Sequence, residues 1–435
     1  MGTFGRLEAG TLLSVGMNGC PSITKALNLA AFGDVVHVES GVYSTSRTSE
    51  RFPLHVPPGV ALVGAPGVVL DGEGQLSPTW RPMRADQSLV VLGDHSSISG
   101  FSIRNSGGHG LGILPGARTL VEGNEICDNG EHGLFAAGAR TCRVLNNTFG
   151  RNGALRLEFE TQGVIRAAPG HDIFVQCMHG QANEVFVSGN RFSSPSSDAI
   201  GFGGAFDQPD GITGACFVSD NTIEHPGRFG IIVPASFSAS KVELEVEITN
   251  NKIIGASRAG IFLTAAMPFV RRAIVGNMVH ARINGNRIEN CGEGIAAVAG
   301  NGYACDNAVV ATIVGNDISG IPGSSLRLLG GAPHSSWTNT GNRISCLLAR
   351  NKIHNIGGAV VCGVAAVTNG AIAPTRNLVT LRVDQNDCVE CAAGILVGRG
   401  GRENNVVLEG WDGPVHCVED LLPSNFDPLS LLPKN

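Results

Sequence analysis

Three titratable side chains alternate with apolar ones in residues 154–160, Ala-Leu-Arg-Leu-Glu-Phe-Glu. Alternation of apolar and polar residues is typical of a β-strand with one buried face, so Arg156, Glu158 and Glu160 are expected to point outward together. Burial against apolar surface raises the pKa of a carboxyl group and a neighbouring Arg lowers it, and such opposed environments can separate an acid from a base. We therefore predict that these three residues are catalytic, with an ordinary surface ion pair as the alternative.

More titratable residues follow directly along the chain. His171, Asp172 and His179 come first, and Asp207 and Asp210 come in the next interval. Because His titrates near neutrality and suits proton transfer, we predict catalytic roles for His171, Asp172 and His179 and substrate-binding roles for Asp207 and Asp210. The same histidines could ligate a metal, but no two ligand types stand at a diagnostic spacing with a third. We predict no metal and no other cofactor.

A sequence repeat runs along most of the chain and determines where these residues lie. The unit reads apolar-x-x-Asn-x-Ile or Phe, then a turn, then Gly-Ile, and its nine copies place Asn at 124, 147, 190, 221, 251, 286, 316, 351 and 386. Short strands repeated in one register cannot bury their apolar face alone, whereas stacked coils bury a continuous core. The sequence predicts an all-β fold, a single-stranded right-handed parallel β-helix with a short N-terminal capping helix. Asn suits the bend and can stack as a ladder.

The Gly-Ile strand of each coil supplies the outer face. If Ile261 points into the core, Phe262 and its equivalents point outward, and in later coils Val361 and Gly363 do so. Most outward positions of the resulting strip are apolar residues or glycines. The coil that contains Glu158 would lie beside the coil that contains Gly201. We predict that the strip lines a substrate cleft through Phe135, Gly201, Gly203, Ile232 and Phe262. Either the segments after each strand fold back over the strip, or a second copy of the chain covers it.

Composition narrows the function further. The 435 residues include 60 Gly, 43% are apolar, only 16% are charged, and the net charge is -6. The absence of a basic run argues against a nucleic-acid partner, and no apolar stretch is long enough to span a bilayer. The 12 Cys are too sparse for a disulfide scaffold, and the first residues lack a basic start followed by an apolar secretory core. We therefore expect a cytoplasmic protein.

The N-terminal part carries a resemblance to a known family. Ser22 is placed to cap a helix through Ile23, Ala26 and Leu27, and the runs 33–36, 40–43 and 57–64 precede the coils. Together these segments resemble the pectate-lyase-like right-handed parallel β-helix superfamily, whose members include lyases, hydrolases, epimerases, isomerases, phage spikes and scaffolds. The resemblance implies a cap and first coils over 1–80, coils with long lateral loops over 81–400, and a C-terminal cap over 401–435.

Two histidine runs are similar to one motif of the polygalacturonase-like hydrolases in that superfamily. They are Gly108-His109-Gly110 and the looser Glu131-His132-Gly133. The paired Asp motif that should precede them in that family is absent. We interpret both histidines as ordinary turn residues.

These features together predict a cofactor-free cyclase, isomerase or lyase. Its substrate is expected to be a small, largely apolar molecule, for example a polyketide-like biosynthetic intermediate, with Glu158 or a histidine moving a proton and Arg156 stabilising negative charge. The first alternative is a carbohydrate lyase, epimerase or hydrolase, although 3 Trp and 2 Tyr are few for gripping sugars. The second alternative is a non-catalytic trimeric spike or scaffold. A homo-oligomer formed through the apolar face stays open.

Overall fold

The chain winds as a right-handed parallel β-helix, as predicted. The computed structural model describes residues 10–17, 19–74, 84–153, 156–161, 164–204, 208–267, 273–332, 339–366, 375–399 and 403–418. Each coil contributes one strand to each of three parallel sheets, and each strand pairs with its equivalent in the next coil. The all-β prediction is confirmed, because the helices of the described ranges are short.

Sheet 1 contains the Gly-Ile strands, sheet 2 the strands that precede the repeated Asn, and sheet 3 the short strands that follow it. Sheet 1 comprises Leu54–Val56, Ser88–Leu92, His109–Ile113, Leu134–Ala137, Ile173–Gln176, Ile200–Gly203, Phe229–Pro234, Ala259–Thr264, Glu293–Asn301, Leu326–Ala332 and Val415–Val418. Sheet 2 comprises Leu12–Val15, Val35–Val38, Arg118–Glu122, Thr141–Leu145, Glu184–Ser188, Thr213–Ser219, Glu243–Thr249, Met278–Asn284, Ala308–Val314, Arg343–Ala349, Leu378–Asp384 and Asn405–Glu409. Sheet 3 comprises Gly41–Tyr43, Glu125–Cys127, Thr148–Gly150, Arg191–Ser193, Thr222–Glu224, Lys252–Ile254, Arg287–Glu289 and Asp317–Ile321.

Four longer strands bend from one sheet into the next. Ala61–Asp71 and Ser96–Arg104 continue from sheet 2 into sheet 3, while Lys352–Ala366 and Asp387–Gly398 continue from sheet 3 into sheet 1. Three two-residue strands, Ile274–Val275, Ala304–Cys305 and Asn339–Thr340, form a small separate parallel sheet. Coil pairing continues past residue 400, since Asn405–Glu409 and Val415–Val418 pair with the preceding coil.

The nine repeated Asn residues form the predicted ladder at the bend between sheets 2 and 3. The side-chain Nδ2 of each of the first eight donates to Oδ1 of the next, at 2.8 to 3.1 Å. The residue before each Asn has a positive φ, for example Asn250 at 55° and Gly285 at 64°. The bend therefore requires left-handed backbone, which explains why Gly or Asn so often precedes the ladder residue.

A helix closes the N-terminal end of the coil. It spans Ile23–Leu29, and its N-cap Ser22 accepts a hydrogen bond from the Lys25 amide, as the sequence predicted. The buried Glu50 carboxylate accepts from the amides of Ile23 and Thr24 at 2.8 Å each, which satisfies two further donors of the first turn. The four-residue helix Thr45–Thr48 and the 3-10 turn Ala85–Gln87 complete the helical elements of the described chain. No helix in these ranges is long and apolar enough to cross a bilayer.

Apolar residues of the described ranges form two large clusters and a third of only Ala266, Ile274 and Ala304. The larger fills the inside of the coil from Val15 to Ile395. The second lies on the outer face of sheet 1 and includes Phe135, Ile232 and Phe262, with Phe237 and Met267 from segments that follow sheet 1 strands. All five side chains are buried. The outer strip is therefore packed against segments of its own chain, which is the first of the two covers considered above.

Candidate active site

The run with Arg156, Glu158 and Glu160 does not form a coil strand. Arg156–Thr161 pairs antiparallel with Val164–Pro169 in a separate hairpin, and Glu158 lies opposite Ala167. The alternating pattern was correctly assigned to a strand, but alternation does not specify the partner, and the long interval before Asn190 accommodates an extra hairpin. The side chains of these residues lie outside the described part of the structure, so their catalytic role stays a prediction.

The coil strand of this interval is Ile173–Gln176 instead. It pairs in parallel with Leu134–Ala137 on one side and Ile200–Gly203 on the other, so Phe174 takes the outward position expected for Arg156. The register also differs from the prediction near the C-terminal end. Arg327 pairs with Cys362 and Leu329 with Val364, so Cys362 and Val364 take the outward positions that the sequence assigned to Val361 and Gly363.

The outer face of sheet 1 has no open floor at Gly201 and Gly203. A Cβ added at Gly201 would lie 2.8 Å from Cδ2 of Phe174, and one at Gly203 would lie 2.2 Å from the carbonyl oxygen of Pro234. These glycines are required because a ring and a backbone approach them closely. Phe135, Ile232 and Phe262 point outward from the coil as predicted, but each is buried, so the expectation of an open apolar cleft over these five residues is wrong.

Three histidines form a stack along the start of sheet 1, named here the histidine ladder: His109, His132 and His171. The ring centroids of His109 and His132 are 5.1 Å apart, and those of His132 and His171 are 5.2 Å apart with an interplanar angle of 1°. Nδ1 of His109 accepts from the backbone amide of His132 at 3.3 Å, and Nδ1 of His132 accepts from that of His171 at 2.8 Å. His109 and His132 therefore belong to the ladder and face outward from the coil. Each stands two residues before the aliphatic residue that points into the core from the sheet 1 strand of its coil.

The exposed end of the histidine ladder meets a buried carboxylate. Nδ1 of His171 lies 3.0 Å from Oδ2 of Asp198, and the His171 side chain is 13% exposed while that of Asp198 is 0% exposed. Asp198 also receives Nε and Nη2 of Arg228 at 3.1 and 2.6 Å, and the Phe229 amide at 3.1 Å. The side chain of Arg228 is 15% exposed. His171, Asp198 and Arg228, named here the triad, thus come from three successive coils.

Electrostatics keep Asp198 ionised despite its burial. Burial alone would raise the pKa of this carboxyl group, but Arg228 and His171 lower the pKa well below its usual range. Nδ1 of His171 is within ion-pair distance of Asp198 but is not aligned for a hydrogen bond with it. A carboxylate on this side of an imidazole leaves Nε2 as the nitrogen for proton exchange with a substrate. The arrangement can serve as a general acid or base.

Burial favours the uncharged forms of the groups at the buried end of the ladder. Glu131 Oε2 lies 3.0 Å from Nδ1 of His109. Burial raises the pKa of Glu131 to about 7 and lowers that of His109 to about 3, so desolvation favours the uncharged form of both groups. Burial, with His109 and His171 nearby, also lowers the pKa of His132 well below its usual value. His171 is therefore the ladder residue that is placed to exchange protons with solvent or substrate.

Asp172 points away from the triad into the corner of the coil. Its Oδ1 accepts from Nδ2 of Asn152 at 2.7 Å, and Asn152 in turn accepts from Asn129 at 2.9 Å. Burial raises the pKa of Asp172 to about 7, although the hydrogen bonds from Asn152 lower it in part. The predicted catalytic role of Asp172 is not supported by this placement, because the side chain is fully buried on the inner side.

The raised pKa of Asp172 predicts a pH-dependent stability. An unfolded Asp has a pKa of about 3.9, so the native state binds this proton more tightly, and the stabilisation is complete below about pH 4 and lost as the pH rises through about 7. Asp172→Asn is therefore expected to raise the free energy of unfolding at pH 8 by about 1–3 kcal/mol and to have little effect at pH 4. Guanidinium unfolding at both pH values measures the difference. The exposed Asp384→Asn is the control, and an equal effect of both variants would contradict the prediction.

The other predicted polar residues lie apart from the triad. His179 is exposed in the turn after Ile173–Gln176. Asp210 is exposed and accepts a hydrogen bond from the Ser240 amide at 2.8 Å. Asp207 lies outside the described residues.

A second ion pair lies farther along the same face. Glu293 contacts Arg327, and their side chains are 15% and 19% exposed. Burial raises the pKa of Glu293, while Arg327 lowers it in part. Asp198 and Glu293 are separated by three coil steps, roughly 14 Å at about 4.8 Å per coil, so the two groups are too far apart to act on one bond. Within the described ranges, no cluster of three or more His, Cys, Asp or Glu side chains has the arrangement of a metal site.

Comparisons with known proteins agree with the fold but do not identify a reaction. A family model described as "Protein of unknown function (DUF1565)" matches residues 16–204. No curated protein matches the chain.

Among solved structures, similar ones include enzymes and an adhesin. The surface adhesin PfbA of Streptococcus pneumoniae is 12% identical with a TM-score of 0.43, covering 84% of this chain and 94% of its own. The Azotobacter vinelandii mannuronan C-5 epimerase AlgE6 A-module is 11% identical with a TM-score of 0.38, covering 91% and 92%. The PL6 family polysaccharide lyase Pedsa3628 from Pseudopedobacter saltans is 14% identical with a TM-score of 0.39, covering 98% and 96%.

Proposed function

We propose that this protein is a carbohydrate-active enzyme of the lyase or epimerase class, which moves a proton on a uronate substrate with His171 as the acid or base. The observation that carries the proposal is the triad: a partly exposed imidazole within ion-pair distance of the fully buried Asp198 carboxylate, which is itself paired with Arg228. The superfamily resemblance of the N-terminal sequence supports the substrate class.

The triad supplies the three parts that abstraction of a proton next to a carboxylate requires. Nε2 of His171 takes the proton, and the Asp198 carboxylate stabilises the imidazolium that forms. Negative charge then develops on the substrate carboxylate, and a guanidinium stabilises it through paired hydrogen bonds. Arg228 uses Nε and Nη2 on Asp198, which leaves the N–H groups of Nη1 for a substrate carboxylate.

The same geometry favours proton transfer over glycoside hydrolysis. A hydrolase needs two carboxyl groups that flank the scissile bond. The carboxyl groups near His171 in the described ranges are those of Glu131, Asp172 and Asp198. All three are buried, so none of them is placed to flank a bound substrate. Delivery of a solvent proton to the opposite face of the carbanion gives an epimer, while the imidazolium returns its proton to water. Expulsion of the oxygen substituent on the neighbouring carbon, protonated by water or by the imidazolium as it leaves, gives an alcohol and an unsaturated product. The catalytic role predicted for Glu158 would be an addition to this site, since its hairpin ends at Pro169, two residues before His171.

The earlier expectation of an apolar substrate loses its main support, because the strip that was to order such a molecule is filled by Phe237, Met267 and their neighbours. The same packing removes the argument for an oligomer or a trimeric spike through this face. A small-molecule cyclase that uses His171 stays the second candidate, and the assay below separates it.

The proposal is tested by deuterium incorporation. In D2O, the wild type is expected to introduce deuterium beside the carboxylate of pectate or alginate oligosaccharides, or to release an unsaturated product, as followed by NMR. His171→Gln is expected to lower turnover by at least about 10²-fold, which is typical for loss of a general base. The matched control is His354→Gln, because Nε2 of His354 lies 3.1 Å from Oδ1 of Asp317 in an exposed pair.

Two outcomes count against the proposal. Equal turnover by the wild type and His171→Gln would remove His171 from the mechanism. Failure of the wild type to exchange or cleave any uronate polymer would reject the substrate class.

A further inference from the structure

A row of charged side chains, named here the charged edge, runs along the side of sheet 1 where its strands begin. Its members are His171, Asp198, Arg228, Arg258, Glu293 and Arg327, which lie just before or at the start of successive sheet 1 strands. From His171 to Arg327 the row covers five coil steps, roughly 24 Å at about 4.8 Å per coil. Backbone pairing fixes its middle, since the Arg258 amide donates to the Arg228 carbonyl oxygen at 3.0 Å.

Positive charge prevails along the charged edge. The guanidinium groups of Arg228, Arg258 and Arg327 stand against the carboxylates of Asp198 and Glu293, in a chain whose net charge is -6. Asp198 is fully buried, whereas the three arginines are partly exposed. A ligand that approaches from solvent therefore meets more positive than negative charge. Guanidinium groups bind carboxylates through paired hydrogen bonds, so the edge suits a molecule that carries several carboxylates.

The charged edge is open toward the C-terminal coils. Exposed corner residues precede the sheet 1 strands from the coil of Asp198 onward, and they are Ser196, Gly227, Ser257, Pro322 and Gly357. These corners carry no long side chain. An extended molecule can therefore lie along them and contact the partly exposed arginines.

The opposite direction, toward the N-terminal coils, is closed. Residues 106–113 and 129–136 form the corners and strands of the two coils before that of His171, and all of them are buried. The turn Ala85–Gln87 covers the first of these coils, because a Cβ added at Gly112 would collide with the carbonyl oxygen of Ala85. A molecule that binds along the charged edge therefore cannot continue past His171 in this direction.

We propose that this enzyme is exo-acting, so that it reacts at the end of an acidic polysaccharide. The inference rests on the proposed function and adds where on the polymer the proton is moved. A terminal uronate unit lies at His171, and the next units run along the charged edge, where Arg258 and Arg327 bind their carboxylates. Internal units do not reach the imidazole, because the buried coils leave no room for a chain on the far side.

Elimination would also fix which end of the polymer reacts. In pectate and alginate, the oxygen that is expelled joins the unit that loses its proton to the non-reducing side of the chain. A terminal unit that can undergo elimination is therefore the reducing one. The products are an unsaturated monosaccharide and a chain that is one unit shorter and carries a new hydroxyl group at its reducing end.

The position of the reaction is tested with the full chain on galacturonate and mannuronate hexasaccharides in D2O. Elimination is expected to give the unsaturated monosaccharide and a pentasaccharide as the first products in size-resolved mass spectrometry. Epimerisation is expected to place deuterium in a terminal unit only, as read by NMR. Polymeric pectate or alginate should lose little viscosity while the monosaccharide accumulates.

Replacement of the arginines tests the charged edge. Arg258→Gln and Arg327→Gln are each expected to raise KM for the hexasaccharide at least about fivefold with little change in kcat, and to affect the disaccharide less, as is typical for loss of uniform binding. The matched control is Arg287→Gln, because Arg287 pairs with Glu289 on sheet 3 and its side chain is 57% exposed. The KM of this control should stay close to that of the wild type. Arg258→Gln carries the test if Arg327→Gln lowers the melting temperature.

The outcomes separate this inference from the proposed function. Deuterium in internal units, or early products of intermediate length, would show that the enzyme attacks within the chain and would overturn the inference alone. An unchanged KM for the hexasaccharide in Arg258→Gln would overturn the placement of the polymer on the charged edge. Failure to react with any uronate substrate would reject both.

Discussion

Asn251→Asp is expected to lower the free energy of unfolding by about 4 kcal/mol or more at pH 7, although it changes one side-chain nitrogen to oxygen. Asn251 lies in the middle of the asparagine ladder and is buried. Its Nδ2 donates to the carbonyl oxygens of Val218 and Thr249 and to Oδ1 of Asn286, at 2.9 to 3.0 Å. A carboxylate at this position would face three acceptors with no hydrogen to donate.

The charge makes the expected loss larger than that of a missing hydrogen bond. A buried carboxylate with no cation beside it pays a desolvation cost that a neutral amide does not. Lowering the pH protonates the introduced group and restores one donor, so the variant is expected to recover part of its stability at pH 4. The wild-type Asn has no such titration.

Asn250→Asp provides the control within the same bend. Asn250 is exposed and has a φ of 55°, and Asp tolerates this conformation almost as well as Asn. Its replacement is expected to change the free energy of unfolding by less than about 0.5 kcal/mol, as is usual for surface substitutions. Guanidinium unfolding of both variants makes the comparison. Similar midpoints for the two would show that the ladder does not carry the stability assigned to it.

The ladder was predictable from sequence because its signal is periodic. Nine Asn residues occur in the same local sequence pattern, which indicates that the chain repeats one structural unit. Each of these Asn residues needs the same bend before it. The cap was predictable for a local reason, since Ser22 and the apolar spacing after it specify a helix start without any distant partner.

The hairpin with Glu158 shows what alternation of apolar and polar residues cannot predict. Alternation over 156–161 predicts a strand, and a strand is present, but its partner is Val164–Pro169 rather than the neighbouring coil. The signal that marks the true coil strand is the segment Gly170-His171-Asp172-Ile173, which matches Gly108-His109-Gly110-Leu111. Alignment on this segment would have assigned Phe174 to the outer face.

The triad was missed in part for a similar reason. The sequence predicts a catalytic role for His171 but does not connect Asp198 and Arg228 to it, because 27 and 30 residues separate successive members along the chain (198 minus 171, and 228 minus 198). Only the winding brings them together. His132 lies before its strand, as the turn interpretation expects, but His109 is the first residue of the strand His109–Ile113, so that interpretation is wrong for His109. The outward stacking of both rings depends on the corner before sheet 1, where strict strand alternation does not hold.

Asp198→Asn is the variant expected to have the largest effect on the triad. It leaves the Arg228 guanidinium, only 15% exposed, without its carboxylate and removes the group beside Nδ1 of His171. Breaking a buried ion pair by removing one partner costs about 3–5 kcal/mol, because the remaining charge is desolvated and uncompensated. Turnover is expected to fall together with stability, since the imidazole loses the carboxylate that stabilises its protonated form.

The pH dependence follows from the lowered pKa of Asp198. Burial opposes ionisation, but Arg228 and His171 outweigh it, so the native carboxyl group binds its proton less tightly than the unfolded one. Its stabilisation is present above the unfolded pKa of about 3.9 and is lost as the pH falls through the lower native pKa. The difference between wild type and Asp198→Asn should therefore be full at pH 7 and shrink in strong acid.

Asp128→Asn separates this effect from the loss of any ion pair. Asp128 accepts from Arg151 at 2.6 Å in the same two-pronged geometry, but the Arg151 side chain is 65% exposed. Exposed pairs contribute about 0–1 kcal/mol, so this control should lie close to the wild type in guanidinium unfolding. The double variant Asp198→Asn/Arg228→Gln should recover part of the stability lost by the single one, because it removes the stranded charge. Equal losses for Asp198→Asn and Asp128→Asn would mean that the Asp198–Arg228 pair is no more tightly held than a surface contact, and His171 would then lack the fixed carboxylate on which the proposed proton transfer rests.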